Sequence, residues 1–178
     1  MSSGGFHILT SLGADSPFPQ WRDRLMLFGQ FVGVWDIDVE YYDQDGGCRY
    51  HGRWEWSFGW ILDGRAIQDV IAILPDDGSL DPAGRATPSA GGTTVRYCDP
   101  ATGRWTIYYL GVVSGITTVL SGGAVGDTIV LVGCDPDGTQ NRWTFSDITP
   151  RSFSWTGLES ADGTRWWRNQ RMLATRIS

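Results

Sequence analysis

The chain has 178 residues, enough for one domain with a sizeable core. Its 14 basic residues, every one of them Arg, are outweighed by 20 acidic ones, for a net charge of -6. An acidic balance disfavours non-specific nucleic-acid binding, the lack of Lys excludes Schiff-base chemistry on a side-chain amine, and 41% hydrophobic content excludes a disordered chain.

Residues 1–15 read as a flexible Gly/Ser-rich lead and 16–178 as a single domain. Pro17 can sit early in a helix, and Trp21, Leu25 and Phe28 fall at i, i+4 and i+7, so a short helix ending near Gly29 is predicted. From Val32 onward the pattern predicts strands only, with many of the 24 glycines marking the turns between them. With Asp45-Gly46 as a tight turn, Tyr41 faces Tyr50, Ile37 faces Trp54 and Trp35 faces Trp56. The other face then sets Glu40 against His51 and Asp38 against Arg53, and a one-residue slip would oppose aromatics to acids.

Asp63-Gly64 as the next turn pairs Trp60 with Ile67, Trp56 with Ile71 and Trp54 with Ile73, continuing the aromatic face. It also places Asp69 opposite Phe58, and Arg65 beside the turn, both on that face. Further strands are predicted near 93–98, 104–112, 116–121, 128–134, 140–147, 152–160 and 165–177. Taking Asp162-Gly163 as the last turn pairs Glu159 with Trp166, Gly157 with Arg168 and Phe153 with Met172. The long connection from Pro75 to Gly92 is either a lid or an insertion.

About ten sequential antiparallel strands form either a sandwich or an up-and-down barrel. Gly33-Val34-Trp35 opens the first strand just after the helix, and Arg176 lies near the end of the last. This pattern resembles the calycin superfamily (lipocalins, fatty-acid-binding proteins and relatives), which implies an all-β lipocalin-like barrel with Arg176 packed across Trp35. The segments Leu62–Asp69, Gly92–Tyr97 and Arg142–Pro150 are also similar to those of a bacterial lipocalin-like family of unknown function. That likeness implies the fold and no activity.

In such a barrel the helix and the turns at 63–64, 99–103, 122–127 and 148–151 lie at the closed end. The loops at 43–47, 75–92, 111–115, 135–138 and 161–164 lie at the open mouth. A barrel of this size is hard to fill completely, so a cavity is expected. Tyr41, Tyr50, Trp54, Trp56, Phe58, Trp60, Trp143 and Trp155 are candidates to line it and hold an apolar or conjugated ligand.

Asp69 and Glu159 are the candidate catalytic residues. A carboxylate turned inward among Trp and Phe can serve as general acid or base. The alternative is a structural salt bridge with Arg65 or Arg168, and those two guanidiniums are themselves candidates to hold an anionic or enolate group of a ligand.

Asp36, Asp38 and Glu40 read as a solvated outer face rather than a metal site. No apolar run approaches the ~18 residues of a membrane helix, and Met1–Ala14 lacks the positive charges that open a signal peptide. Cys48, Cys98 and Cys134 show no CxxC spacing, so a reduced, cytoplasmic protein is expected, without metal. No nucleophile–base motif is present, and His7 and His51 are poorly placed for haem, so no cofactor is implied. These readings favour a cofactor-independent cyclase, isomerase or hydratase acting on a polyketide- or terpenoid-like molecule. The alternative is a carrier or sensor of the same ligand class, in either case a monomer or homodimer.

Overall fold

A computed structural model describes residues 12–75 and 89–178. A two-residue strand β1 (Gly13–Ala14) and a turn of 3-10 helix lead into helix α1 (Arg22–Gly29). Ten strands follow: β2 (Gly33–Tyr42), β3 (Cys48–Ile61), β4 (Ala66–Ile73), β5 (Ser89–Cys98), β6 (Trp105–Leu110), β7 (Thr117–Val125), β8 (Thr128–Cys134), β9 (Gln140–Ser146), β10 (Ser152–Ser160) and β11 (Trp167–Arg176). Each pairs antiparallel with its sequence neighbour, and β11 pairs back onto β2, so the sheet closes into a ten-stranded up-and-down barrel with no free edge among these strands.

The first two hairpins have the expected registers. Tyr41 faces Tyr50, Ile37 faces Trp54 and Trp35 faces Trp56, while Trp60 faces Ile67 and Asp69 faces Phe58. The like-charge pair Asp36 and Glu55 is relieved diagonally, because Arg53 bridges to Asp36. His51 meets Asp38 at 2.8 Å on the exposed outer face. Strand β2 begins opposite Phe58, which leaves the last residues of β3 unpaired on that side. There β1 sets Gly13 against Ile61 and Ala14 against Trp60, so these two residues are strand rather than loose lead.

Three expectations change. The 122–127 stretch is not one turn: β7 runs through Val125 and pairs it with Thr128, leaving only Gly126-Asp127 to turn. Gly122 is there for close packing, since a Cβ on it would lie 2.0 Å from the Val130 carbonyl oxygen. In the last hairpin Glu159 faces Trp167, Gly157 faces Gln170 and Phe153 faces Ala174, with a bulge at Asn169. The Asp162 carboxylate accepts the backbone N–H groups of Thr164 and Arg165 and builds a wider turn than the two residues assumed, which moves the register. Lastly, β5 already starts at Ser89, and the remainder of the expected lid, 76–88, lies outside the described residues.

The closed end is filled by aromatics. Leu25, Phe28 and Phe31 enter from α1 and the segment after it and are buried against Trp35, Trp105, Phe145 and Phe153. The Phe28 ring meets Trp105 edge-on at 4.8 Å, and Phe31 meets Phe153 at the same distance. Burying one such ring contributes about 2–3 kcal/mol. Arg176 stacks on Trp35 at 4.0 Å, as the resemblance implied.

Candidate functional site

The upper half of the barrel is not filled. A cavity of about 620 Å³ opens at the mouth formed by the β2–β3, β6–β7 and β8–β9 loops. Trp54 and Trp56 come from β3, Trp143 from β9 and Trp155 from β10, each at an inward position of its strand. Trp143 meets Trp155 edge-on at 5.5 Å and Tyr109 at the same distance, while Tyr41 tilts against Trp54 at 5.7 Å. Burial raises the pKa of both Tyr41 and Tyr109, and Tyr109 adds to the rise at Tyr41, so the phenols stay neutral hydrogen-bonding groups.

Asp69 lies on the cavity wall with 1% of its surface exposed. The strand register sets it opposite Thr94, and Arg96 is two residues further along the same face of β5. Its Oδ2 accepts hydrogen bonds from the Thr94 hydroxyl and, at 2.8 Å, from Arg96 Nε; Arg96 Nη2 lies 2.7 Å from the same oxygen. Oδ1 has no hydrogen-bond partner. The Arg96 guanidinium is wholly buried and lies 4.8 Å from the Phe28 ring centre, 5.5 Å from Phe145 and 5.6 Å from Phe58. This ion pair therefore separates the cavity from the aromatic base, and the partner of Asp69 is Arg96 rather than Arg65.

Glu159 lies nearer the mouth. Burial raises its pKa and Asp135 and Asp137 add to the rise, while a hydrogen bond from Asn169 and the charge of Arg49 oppose it. The unfolded chain thus releases this proton more readily than the fold does. Stability should fall as pH climbs from the ordinary glutamate value near 4.5 through the raised folded value. Thermal melts across that window should show the decline in the wild type and a flatter profile in Glu159→Gln, whose amide oxygen can still accept from Asn169. Parallel profiles for the two proteins would sink the assignment.

The other candidates divide by position. Tyr41, Trp54, Trp56, Trp143 and Trp155 line the cavity with Asp69 and Glu159. Phe58 lies below, against Phe31 and Trp56, and Tyr50 packs on Tyr41 without lining the cavity. Two corrections concern arginines. Arg65 lies at the closed end, 3.7 Å over the Phe18 ring and 3.0 Å from Asp63, because Ile61–Ala66 is the last ladder pair and strand alternation stops before it. Arg168 lies on the outside, 4.1 Å over Tyr42, turned away by the bulge at Asn169.

Sequence reasoning missed Arg96, Arg49, Tyr109, Asp135 and Asn169. Arg96 was recoverable: the short turn after Cys98 pairs Cys98 with Trp105, which puts Arg96 opposite Ile107 on the inner face. Arg49 and Asn169 are the extra residues of two bulges and reach the cavity for that reason. Among the described residues no cluster of His, Cys, Asp and Glu could hold a metal ion, and no helix is long and apolar enough to cross a membrane.

No family model matches the chain, and no curated protein matches it. Solved structures of the same architecture do. An S-type phycobiliprotein lyase from Guillardia theta is 11% identical, with a TM-score of 0.58 over 86% of this chain and 92% of its own. Rv2717c from M. tuberculosis is 14% identical, with a TM-score of 0.58 over 87% of this chain and 98% of its own. At such identity the likeness is one of fold. In architecture, then, the chain is a closed ten-stranded up-and-down barrel that shares its fold with these two proteins, plugged at one end by helix α1 and open into an aromatic cavity at the other.

Proposed function

We propose that this barrel binds a hydrophobic, conjugated small molecule in its cavity and acts on it without a cofactor, as a cyclase, isomerase or hydratase of polyketide- or terpenoid-like compounds. The observation that carries the reading is a cavity of about 620 Å³ walled by Trp and Tyr, with two carboxyl groups among the lining residues. Glu159 is the proton-moving group: its pKa is raised by burial, which brings a carboxyl closer to the range useful for general acid–base work. Asp69, tied to Arg96 and Thr94 through one oxygen, uses the other to orient the ligand by accepting a hydrogen bond. Aromatic walls would hold a flexible substrate folded, and that restriction is itself catalytic. A protein of this architecture is a phycobiliprotein lyase in Guillardia theta, so the barrel accommodates an enzyme. The commitment of Asp69 to Arg96 favours the alternative of a carrier or sensor, in which the ligand leaves unchanged.

Five Trp on the cavity wall make the test direct. Titration with a panel of polycyclic and terpenoid compounds should quench Trp fluorescence saturably. Ile71→Trp, which projects a further indole into the void, should abolish that quenching while the melting curve stays cooperative. Chromatography and NMR of a bound compound after incubation, which resolve isomers of equal mass, separate enzyme from carrier, and Glu159→Gln should stop conversion but retain binding. Unsaturable quenching throughout the panel would refute the site.

A further inference from the structure

The charges around the cavity select the kind of hydrophobic molecule it takes. Among its described lining residues the carboxylates are Asp43, Asp69, Asp135 and Glu159, against the single guanidinium of Arg49. Asp69 is neutralised by Arg96 behind the wall, so three acids near the mouth face one base. Thr118 donates to Asp135 and Asn169 to Glu159, which leaves each carboxylate oxygen-rich and without a cation within salt-bridge distance among the described residues. Arg49 itself is held by a ring, 5.6 Å over the centre of Tyr41. The surface that a ligand would meet on entry is therefore negative, and the walls below present the π faces of Trp and Tyr. Both attract positive charge and repel or gain nothing from a carboxylate. A wall oxygen without a partner, Asp69 Oδ1, calls for a donor rather than an acceptor.

We propose that the cavity is built for a cationic amphiphile: a protonated amine or quaternary ammonium on an aromatic or polycyclic body, with the cation near Glu159 and Asp135 and the body between the Trp side chains. The inference rests on the cavity being a ligand site and adds the sign of the ligand's charge. It disfavours fatty acids and other carboxylate ligands, which need a basic group to receive them.

A matched trio of probes tests this: anthracenylmethylamine, anthracenylmethanol and anthracenecarboxylic acid share one apolar body and differ in charge. Followed by Trp quenching at low salt, the amine should bind about tenfold tighter than the alcohol, and the acid weaker than both. The preference should shrink in high salt and collapse to threefold or less in Glu159→Gln/Asp135→Asn, whose cooperative melting curve reports an intact barrel. Carboxylate binding as tight as amine binding, or a preference for the amine that survives the double substitution, overturns the charge assignment while leaving the cavity a ligand site. Failure of all three probes to bind saturably refutes both.

Discussion

Replacing Arg96 by Met should lower the free energy of unfolding by about 3–5 kcal/mol, the usual cost of leaving one member of a buried ion pair alone. For a domain of this size that is a fall of roughly 10 °C in melting temperature. Arg96 and Asp69 are 0% and 1% exposed, so neither charge can recover water when its partner is removed. Without the guanidinium, Asp69 keeps only the Thr94 hydroxyl, and Oδ1 is unpartnered already. Asp69→Asn is the milder lesion, because the amide oxygen still accepts from Arg96 and the Phe28, Phe58 and Phe145 rings still surround the cation. Asp69→Leu/Arg96→Met should recover much of the loss, since two apolar side chains leave no charge to bury. The coupling between the two sites should therefore be large and positive in a denaturant-unfolding cycle. A single Arg96→Met variant within about 1 kcal/mol of wild type would mean that the pair is hydrated in solution.

The same pair marks the boundary between what residue order reveals and what it conceals. Alternation and short turns determine register locally, and that was enough to place Trp54, Trp56 and Asp69 on one inner face through the β2–β3–β4 hairpins. Asp69 finds Thr94 and Arg96 across the β4–β5 connection, where no tight turn sets the count, so that pairing was invisible from Asp69 outward. Arg65 shows a second limit. Parity assigns a face only inside a ladder, and past Ile61–Ala66 the chain passes through Leu62, Asp63 and Gly64 at positive φ, which releases Arg65 to stack on Phe18. Bulges are the third. One extra residue at Arg49 and another at Asn169 leave the hydrophobic period readable on either side yet decide which side chains enter the mouth. The walls, made of periodic aromatics, were legible for this reason, and the polar groups that give the cavity its charge were mostly not.

Arg176→Ala should cost about 2–4 kcal/mol, by a mechanism at the far end of the barrel from the cavity. The guanidinium lies 4.0 Å over the Trp35 ring and makes its short hydrogen bonds to three carbonyls from three segments, Gln30 at 2.6 Å, Val32 at 2.8 Å and Pro150 at 2.7 Å, with a longer one to Ser178 at 3.4 Å. These belong to the segment leaving α1, the entry to β2 and the β9–β10 turn, so one side chain ties the helical plug to both sides of the closing seam between β2 and β11. Lysine at this position should recover little. Its point charge cannot present a planar fork to three acceptors and a ring at once. Gly33 is part of the same device: its φ is +133°, and a Cβ there would lie 2.6 Å from Arg176 Nη1 and 2.3 Å from the Ser178 carbonyl oxygen. Gly33→Ala should therefore approach the cost of Arg176→Ala, and the two together should cost much less than their sum, because either change displaces the same guanidinium. Ligand affinity at the mouth, measured at a temperature where the variants stay folded, should be unchanged. An affinity loss in Arg176→Ala that matches its stability loss would show that the seam and the cavity open together, which would make the closed end part of the binding apparatus rather than a lock beneath it.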